Sequence, residues 1–171
     1  GDSMKKERFS DVADINISVN DDSQFLSAYS EIGKPVISAE VADFLENSAS
    51  AFSPAQSLRL TVYGKCIDEE EKPKYSQAIR NYFSLKLSDT RREVRRKSIQ
   101  SIIFCIVGIL ALVAMFCLSS LSVNDVWTEC VDIFAWVFLW EAVDLFFIER
   151  SSLILREKRL RSFVEMEIIY L

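Results

Sequence analysis

Residues Ser98–Asn124 read SIQSIIFCIVGILALVAMFCLSSLSVN, a run of 27 positions without a charged side chain. About 20 apolar residues in a helix cross the roughly 30 Å hydrocarbon core of a bilayer, so this run predicts a transmembrane helix at Ile99–Leu121. Val126–Ile148 is equally long and predominantly apolar, and it predicts a second transmembrane helix. The intervening segment 122–125 is too short for more than a tight outer turn. The two spans are therefore expected to form a transmembrane helical hairpin.

Basic residues flank this predicted hairpin and are missing from its turn. Five lie just before the first span, none lies between the spans, and five follow the second span. Because such an excess of Lys and Arg is retained on the cytoplasmic side, both termini are predicted to be cytoplasmic. We expect an integral membrane protein, with a bacterial inner membrane as its location. The basic residues either only set this topology or also contact anionic lipid headgroups. The candidate membrane-surface residues are Arg91, Arg92, Arg95, Arg96, Lys97, Arg156, Lys158, Arg159 and Arg161.

The segment before the hairpin has the pattern of a small, acidic α/β domain. Residues 1–71 carry 14 acidic and 6 basic side chains, which gives this part a net charge of −8. Residues 7–90 alternate segments with strand and helix periodicity. The predicted order is a strand around Ile15–Val19, a helix capped by Ser38, a strand around Leu58–Val62, and a helix after Asp68–Glu71. The first helix has Phe44 and Leu45 on one apolar face, and Ser53–Pro54 is expected to end it. This is the predicted cytoplasmic domain, and residues 1–6 before it are expected to be a disordered N-terminus with a tag remnant.

A third strand is needed because two strands alone rarely make a stable sheet. Val164, Met166, Ile168 and Tyr170 recur at every second position, a pattern typical of a half-buried strand. The segment 149–171 is therefore interpreted as a basic helix over Ser151–Arg161, followed by a strand that returns to the domain. The alternative is an amphipathic helix along the membrane surface. The predicted fold class is an α+β membrane protein whose two-helix transmembrane hairpin is attached to, or inserted in, a small cytoplasmic α/β domain.

The junction between domain and membrane, residues 91–98, predicts a basic juxtamembrane helix. Thr90 and Glu93 match the Ser/Thr-x-x-Glu capping box, which favours a helix that starts at Arg91 and continues into the first span. A continuous helix would transmit tilt or rotation, whereas a hinge at Ser88–Asp89 would decouple domain and bilayer. Both alternatives stay open at the level of sequence.

Four acidic residues interrupt the second span, and they are the candidate functional residues. An ionised group near the centre of a bilayer costs roughly 2.5–3.5 kcal/mol on insertion scales, so such groups pair, neutralise or face water. On a helical projection these acids lie away from Ala135 and Ala142, which are expected to pack against a small-residue face of the first span. The acids would then face lipid in a monomer, which predicts a homo-oligomer. The acids are Glu141, Asp144, Glu129 and Asp132, and the small-residue face comprises Ser101, Cys105, Gly108 and Ala111.

Three roles for the intramembrane acids remain open. They are hydrogen-bonded contacts between helices or boundary residues, they line an ion or proton path, or they bind a cationic or lipid ligand. Trp136 and Trp140 share the acidic side of the helix, which would make any pore narrow and apolar.

Composition excludes several classes of function. The chain has no histidine, which removes Ser-His-Asp and Cys-His catalysis and His-ligated metal sites. Its four glycines cannot build a Gly-rich phosphate loop, and its net charge of −5 argues against binding to nucleic acid. The four cysteines lack CxxC spacing, although a disulfide between Cys117 and Cys130 stays open. We expect no metal, no cofactor and no catalytic residues.

The sequence contains no motif that names an activity. The favoured hypothesis is a non-enzymatic membrane adaptor or sensor whose cytoplasmic domain binds a protein partner or oligomerises. The alternative is a small oligomeric ion channel, or an effector that perturbs the membrane, which uses the acids of the second span. Lipid bilayer, a second copy of the chain and a cytoplasmic protein are the expected partners.

Overall fold

A computed structural model of the chain describes residues 12–121 and 125–171. These residues form a mixed helix-and-sheet protein with a small three-stranded sheet. The predicted N-terminus over residues 1–6 lies outside the described residues, as do residues 122–124 of the predicted outer turn. The elements are β1 (Val12–Ser18), α1 (Ala39–Ala49), β2 (Ser57–Tyr63), α2 (Lys72–Ser120), α3 (Asp125–Val143), a π-helix (Asp144–Glu149), α4 (Arg150–Val164) and β3 (Glu167–Tyr170).

The sheet is entirely parallel, in the order β1-β2-β3. β1 alternates in burial, as the period of two in its sequence predicts, whereas Leu60, Thr61 and Val62 of the central strand β2 are all buried. On the open face, the Arg59 guanidinium pairs with Asp14 on one side at 3.4 Å and with Glu167 on the other at 2.9 Å. These three residues are register partners across the three strands. The C-terminal segment is thus a strand over 167–170 that returns to the sheet, and the amphipathic-helix alternative is wrong there.

One hydrophobic core covers the other face of the sheet. It joins strand residues such as Ile15 and Leu60 to side chains from α1, the first part of α2 and the end of α4. The Phe83 ring of α2 stacks on the Phe163 ring of α4, with ring centroids 4.2 Å apart. The C-terminal strand β3 and the helix before it, α4, therefore both belong to this core.

The chain divides into two compact units. The sheet unit comprises residues up to Ser88 together with Leu155–Leu171, and the helical unit comprises Asp89–Ile154. The helical unit is therefore an insertion in the sequence of the sheet unit.

The predicted start of a helix at Arg91 is wrong. α2 is a single helix of 49 residues that begins at Lys72 and passes through Ser88, Asp89 and Thr90 without a break. Pro73 lies in the first turn, where proline is tolerated, and no Pro or Gly follows it before the apolar run, so the helix has no reason to end there. The capping-box pattern at Thr90 lies inside the helix and caps nothing.

The N-terminus of α1 follows the prediction and its C-terminus does not. Ser38 is the N-cap, and its side-chain oxygen accepts a hydrogen bond from the Val41 N–H at 3.4 Å. The helix ends at Ala49, before the Ser53–Pro54 pair expected to end it. Its buried side includes Leu45, whereas Phe44, expected beside it in the core, is 45% exposed.

Candidate functional site

The apolar run of α2 is the feature that most strongly constrains function. Among the described residues, α2 is the one helix that is long and apolar enough to cross a membrane. Only 11% of its most apolar window is buried inside the chain, so it does not behave as the core helix of a soluble protein. Its exposed side chains include Ile102, Ile106, Leu110, Val113 and Phe116. An exposed apolar surface of this length requires an apolar solvent or a partner.

The helical unit packs α2 against α3 through small residues and aromatic rings. The Ser101 hydroxyl donates a hydrogen bond to the Ala142 carbonyl oxygen at 2.9 Å, and both residues are buried. Gly108 lies so close to α3 that an added Cβ would stand 2.8 Å from the Leu139 side chain. These contacts pair earlier positions of α2 with later positions of α3, so the two helices run antiparallel.

Four of the six predicted packing residues meet at this contact. Ala135 is fully buried, and its carbonyl oxygen would lie 3.4 Å from a Cβ at Gly108. Ser101 and Ala142 are joined by the hydrogen bond just described. The other two, Cys105 and Ala111, are half-buried on α2.

The four cysteines of the chain are all free thiols, so the disulfide that the sequence left open between Cys117 and Cys130 is not formed.

None of the four predicted intramembrane acids is buried in the structure. Glu141 is exposed and Asp144 is half-buried. Both line a shallow groove of about 510 Å³ on the surface of the helix, together with Ile133, Trp136, Val137 and Trp140. Glu129 is exposed and Asp132 is half-buried, and neither lines this groove. Within the described part of the chain, none of the four carboxylates forms an ion pair with Lys or Arg.

A π-helix lies where the sequence predicted an uninterrupted α-helix. The Arg150 N–H donates to the Leu145 carbonyl, five residues earlier, and such i→i+5 turns are rare and often found at functional sites. The Arg150 guanidinium lies over the Phe146 ring at 4.8 Å, and its Nε is buried without a hydrogen-bond partner. Glu149 pairs with Lys97 of α2 at 2.5 Å. Hydrophobic periodicity carries no signal for the one extra residue of a π-turn, so sequence reasoning missed it.

The structure divides the predicted membrane-surface residues into different groups. Seven of them are exposed, namely Arg91, Arg92, Arg95, Arg96, Arg156, Lys158 and Arg161. Lys97 has the ion pair with Glu149, and Arg161 has one with Glu165 at 3.3 Å.

Arg159 has a different role from the one predicted. Its guanidinium donates to the Ala49 carbonyl at 3.2 Å and to the Phe52 carbonyl at 3.0 Å. Carbonyls at the C-terminus of a helix lack partners within that helix and attract cations. Arg159 therefore stabilises the end of α1, a contact that the sequence did not predict, and its contact with lipid headgroups stays a prediction.

Two cavities in the sheet unit were not predicted. They lie at the edge where the parallel strands end, with volumes of about 380 Å³ and about 480 Å³. Asn20 lines both of them, and Asp21 lines the first. The strand-helix-strand order of the sequence could have indicated these cavities. It predicts parallel strands whose carboxyl ends lie at one edge of the sheet, where ligands commonly bind.

Comparisons of the chain with protein-family models, with curated proteins and with solved structures found no match. Among the described residues, no group of three or more His, Cys, Asp or Glu side chains is arranged to hold a metal ion.

Proposed function

We propose that this protein is a non-enzymatic integral membrane adaptor or sensor. In this proposal the sheet unit is a cytoplasmic domain that binds a partner protein or oligomerises. A transmembrane hairpin, formed by α2 and by α3 with the π-helix, holds it at a bacterial inner membrane. Both chain termini are then cytoplasmic.

One observation carries this proposal, namely that the sheet unit is assembled from both sides of the helical unit. β2 precedes the apolar run, β3 follows it, and the two strands are paired from Arg59↔Glu167 to Val62↔Tyr170. The two connections between the units run through α2 and α4. Both ends of the helical unit are thus connected to the sheet unit. A ligand or partner that changes the sheet unit can therefore affect the helical unit at both of its ends.

The second span is supported by contacts and length. α3 and the π-helix together cover 19 and 6 residues, roughly 35 Å of helix, which exceeds the hydrocarbon thickness. The Ser101–Ala142 hydrogen bond supports it further, because a helix packed antiparallel along a membrane-spanning helix lies at the same depth. Acidic residues inside a span are expensive but are a known feature of functional membrane helices.

Native cysteines provide a test of the topology. In variants with a single cysteine, Cys117 and Cys130 should react with a membrane-impermeant maleimide in intact cells, since both lie next to the predicted outer turn. The matched control is Ser50→Cys, an exposed position of the sheet unit, which should react only after the cells are permeabilised. Labelling of Cys117 only after permeabilisation would contradict the proposed orientation.

The adaptor hypothesis is tested by damaging the sheet while the helices stay intact. Ile168 of β3 packs against the core, and Ile169 lies on the opposite face of the strand. Full-length protein in nanodiscs should show an oligomer by native mass spectrometry, or a cross-linked partner in intact membranes. Ile168→Asp should abolish this assembly and remain in the membrane after alkaline extraction, whereas Ile169→Asp should retain it. A wild-type protein that is monomeric and forms no cross-link would contradict the proposal.

A channel is the second candidate, and the groove with Glu141 and Asp144 favours it. In a monomer, carboxylates that face away from α2 on a membrane helix would be in contact with lipid, which costs free energy. In an oligomer they would lie at a subunit interface. Two or more copies would then bring these acids around a common path.

The channel hypothesis predicts a change in flux without a loss of assembly. Glu141→Gln with Asp144→Asn should lower cation flux into proteoliposomes by about tenfold or more, because acidic groups concentrate cations at a pore. Glu70→Gln, which removes an exposed carboxylate of the sheet unit, is the matched control. Absence of flux for the unmodified protein would leave the adaptor as the better description.

A further inference from the structure

The carboxyl edge of the sheet has the position and size of a ligand site. The first cavity, of about 380 Å³, lies between the segment after β1 and the first turns of α1. The second cavity, of about 480 Å³, adjoins it, because both are lined by Ser18, Val19 and Asn20. In parallel α/β sheets, ligands bind outside the carboxyl ends of the strands, and small-molecule sites typically have volumes of about 300–1,000 Å³.

Hydrogen bonds and ring stacking hold both walls of the first cavity in place. On one wall, the Tyr75 hydroxyl donates to Asp22 Oδ2 at 2.8 Å, and the Tyr75 ring stacks on Phe25 at 4.8 Å. Burial of the Tyr75 hydroxyl and its hydrogen bond to Asp22 raise the pKa of Tyr75, so the hydroxyl keeps its proton. The Ser38 N–H donates to the Phe25 carbonyl at 2.9 Å, which ties the start of α1 to the same segment. The cavity is therefore formed before any ligand binds.

The charged groups that line this cavity are all negative. Asp21 lies in the segment after β1 and Glu40 lies in the first turn of α1, and no Lys or Arg lines the cavity. The Ser23 N–H donates to Asp21 Oδ1 at 3.0 Å, and hydrogen bonding from Ser23 lowers the pKa of the Asp21 carboxyl. Asp21 is therefore a carboxylate at neutral pH.

The N-terminus of α1 does not offer a competing anion site. One of its first amides is already occupied, because the Ser38 side chain accepts a hydrogen bond from the Val41 N–H. Glu40 adds a negative charge at the helix end that would attract an anion. An anionic ligand would thus meet the carboxylates of Asp21 and Glu40 in this cavity.

An aromatic side chain completes the lining. Phe44 is one turn after Glu40, on the same side of α1, and it is 45% exposed within the cavity wall. Aromatic faces attract cations as well as apolar groups. The amides of Asn20 and Gln24 add hydrogen-bonding groups on the opposite wall.

We propose that the carboxyl edge of the sheet binds a small organic cation, namely a protonated amine that carries an apolar group. Asp21 and Glu40 bind the ammonium group, and Phe44 contacts the apolar part. The inference goes beyond the membrane proposal and does not rest on it, because binding at this edge is measured whether or not α2 crosses a bilayer.

The probes are phenethylamine, which is positively charged at pH 7, and 2-phenylethanol, a neutral molecule of similar size. Each is titrated by calorimetry into full-length protein in nanodiscs, with empty nanodiscs as the blank. We expect the amine to bind with a dissociation constant of about 1 mM, as for a fragment, and at least about tenfold more tightly than the alcohol. Equal binding of the two probes, or no binding of the amine at about 10 mM, would overturn the proposal without any variant.

Variants locate the site. Asp21→Asn and Glu40→Gln should each weaken amine binding by about threefold, the size expected for one exposed charge, and the double variant should lose it. Glu70→Gln removes an exposed carboxylate that does not line the cavity, and it should bind as the unmodified protein does. An equal loss in Glu70→Gln would show that the amine responds only to net charge.

Discussion

The sheet unit and the helical unit differ most in how much apolar surface they bury. Among the described residues, the core of the sheet unit contains 20 buried hydrophobic side chains. The buried hydrophobic residues of the helical unit are Ala135, Ala142 and Leu145, although its composition is far more apolar. Burial in the first unit is by large side chains and in the second mostly by small ones. The helical unit thus leaves most of its apolar surface exposed, whereas the sheet unit has a buried core.

This difference predicts different sensitivities to the same kind of substitution. Removal of apolar surface from water stabilises the sheet unit, so truncation of a large side chain there is costly. In a bilayer no such term acts between helices, and close packing with interhelical hydrogen bonds takes its place. Substitutions that enlarge a small residue should therefore be the damaging ones in the helical unit.

Phe83→Ala should have the largest effect. The Phe83 side chain is fully buried and stacked on Phe163, so its loss should lower the free energy of unfolding by about 3–5 kcal/mol. Hydrogen exchange of β2 in nanodiscs measures this, while the three Trp residues, all in α3, report separately on the helical unit by fluorescence. Leu85→Ala, at a position that is 62% exposed, is the control. Equal effects of the two substitutions would contradict the assignment of the core.

Local patterns in the sequence were sufficient for much of the sheet unit. The period of two in Val164–Tyr170 and the Ser38 cap are both local signals, and the structure confirms the strand at Glu167–Tyr170 and the cap. The parallel pairing of β3 with β2 also confirms that the chain returns to the domain. These features were predictable because each depends on residues within a few positions of one another.

Features that depend on distant partners were not predictable in the same way. Phe44 and Leu45 are adjacent and both apolar, yet Leu45 is buried in the core and Phe44 lines a cavity. The position of the segment after β1 decides this difference. The role of Arg159 depends on the end of α1, more than 100 positions earlier. The capping-box pattern at Thr90 failed because a helix already in progress overrides a start signal.

Gly108→Ile should have the next largest effect, and it should act on the helical unit. A Cβ at this position would already stand 2.8 Å from the Leu139 side chain, so a branched side chain should destabilise the contact of α2 and α3 by about 1–3 kcal/mol. Disulfide cross-linking between cysteines placed on the two helices measures the contact. Ala114→Ile adds similar volume at an exposed position of α2 and should leave cross-linking unchanged. A tolerated Gly108→Ile would mean that the helices do not approach closely in the bilayer.

Arg159→Gln should lower the stability of the sheet unit by about 1.5 kcal/mol, because it removes charge-assisted hydrogen bonds to the end of α1. Hydrogen exchange of α1 in nanodiscs measures this loss. It should be the same in zwitterionic and anionic lipid, since the guanidinium binds protein carbonyls. Arg156→Gln, at an exposed position, should cost little. A loss of stability that appears only in anionic lipid would instead indicate that Arg159 contacts lipid headgroups.

Ser101→Ala should have the smallest effect, and it distinguishes a helix contact in a bilayer from one in water. It removes the hydrogen bond to the Ala142 carbonyl, and interhelical hydrogen bonds in membranes contribute on average about 0.6 kcal/mol. Ser120→Ala is the matched control, because the Ser120 hydroxyl bonds to the Phe116 carbonyl of its own helix. Both variants are compared by the same cross-linking equilibrium in nanodiscs and in detergent. A loss of several kcal/mol for Ser101→Ala would show that the contact between α2 and α3 depends on this one hydrogen bond. A small loss for Ser101→Ala together with a large loss for Gly108→Ile would show that the contact depends on close packing.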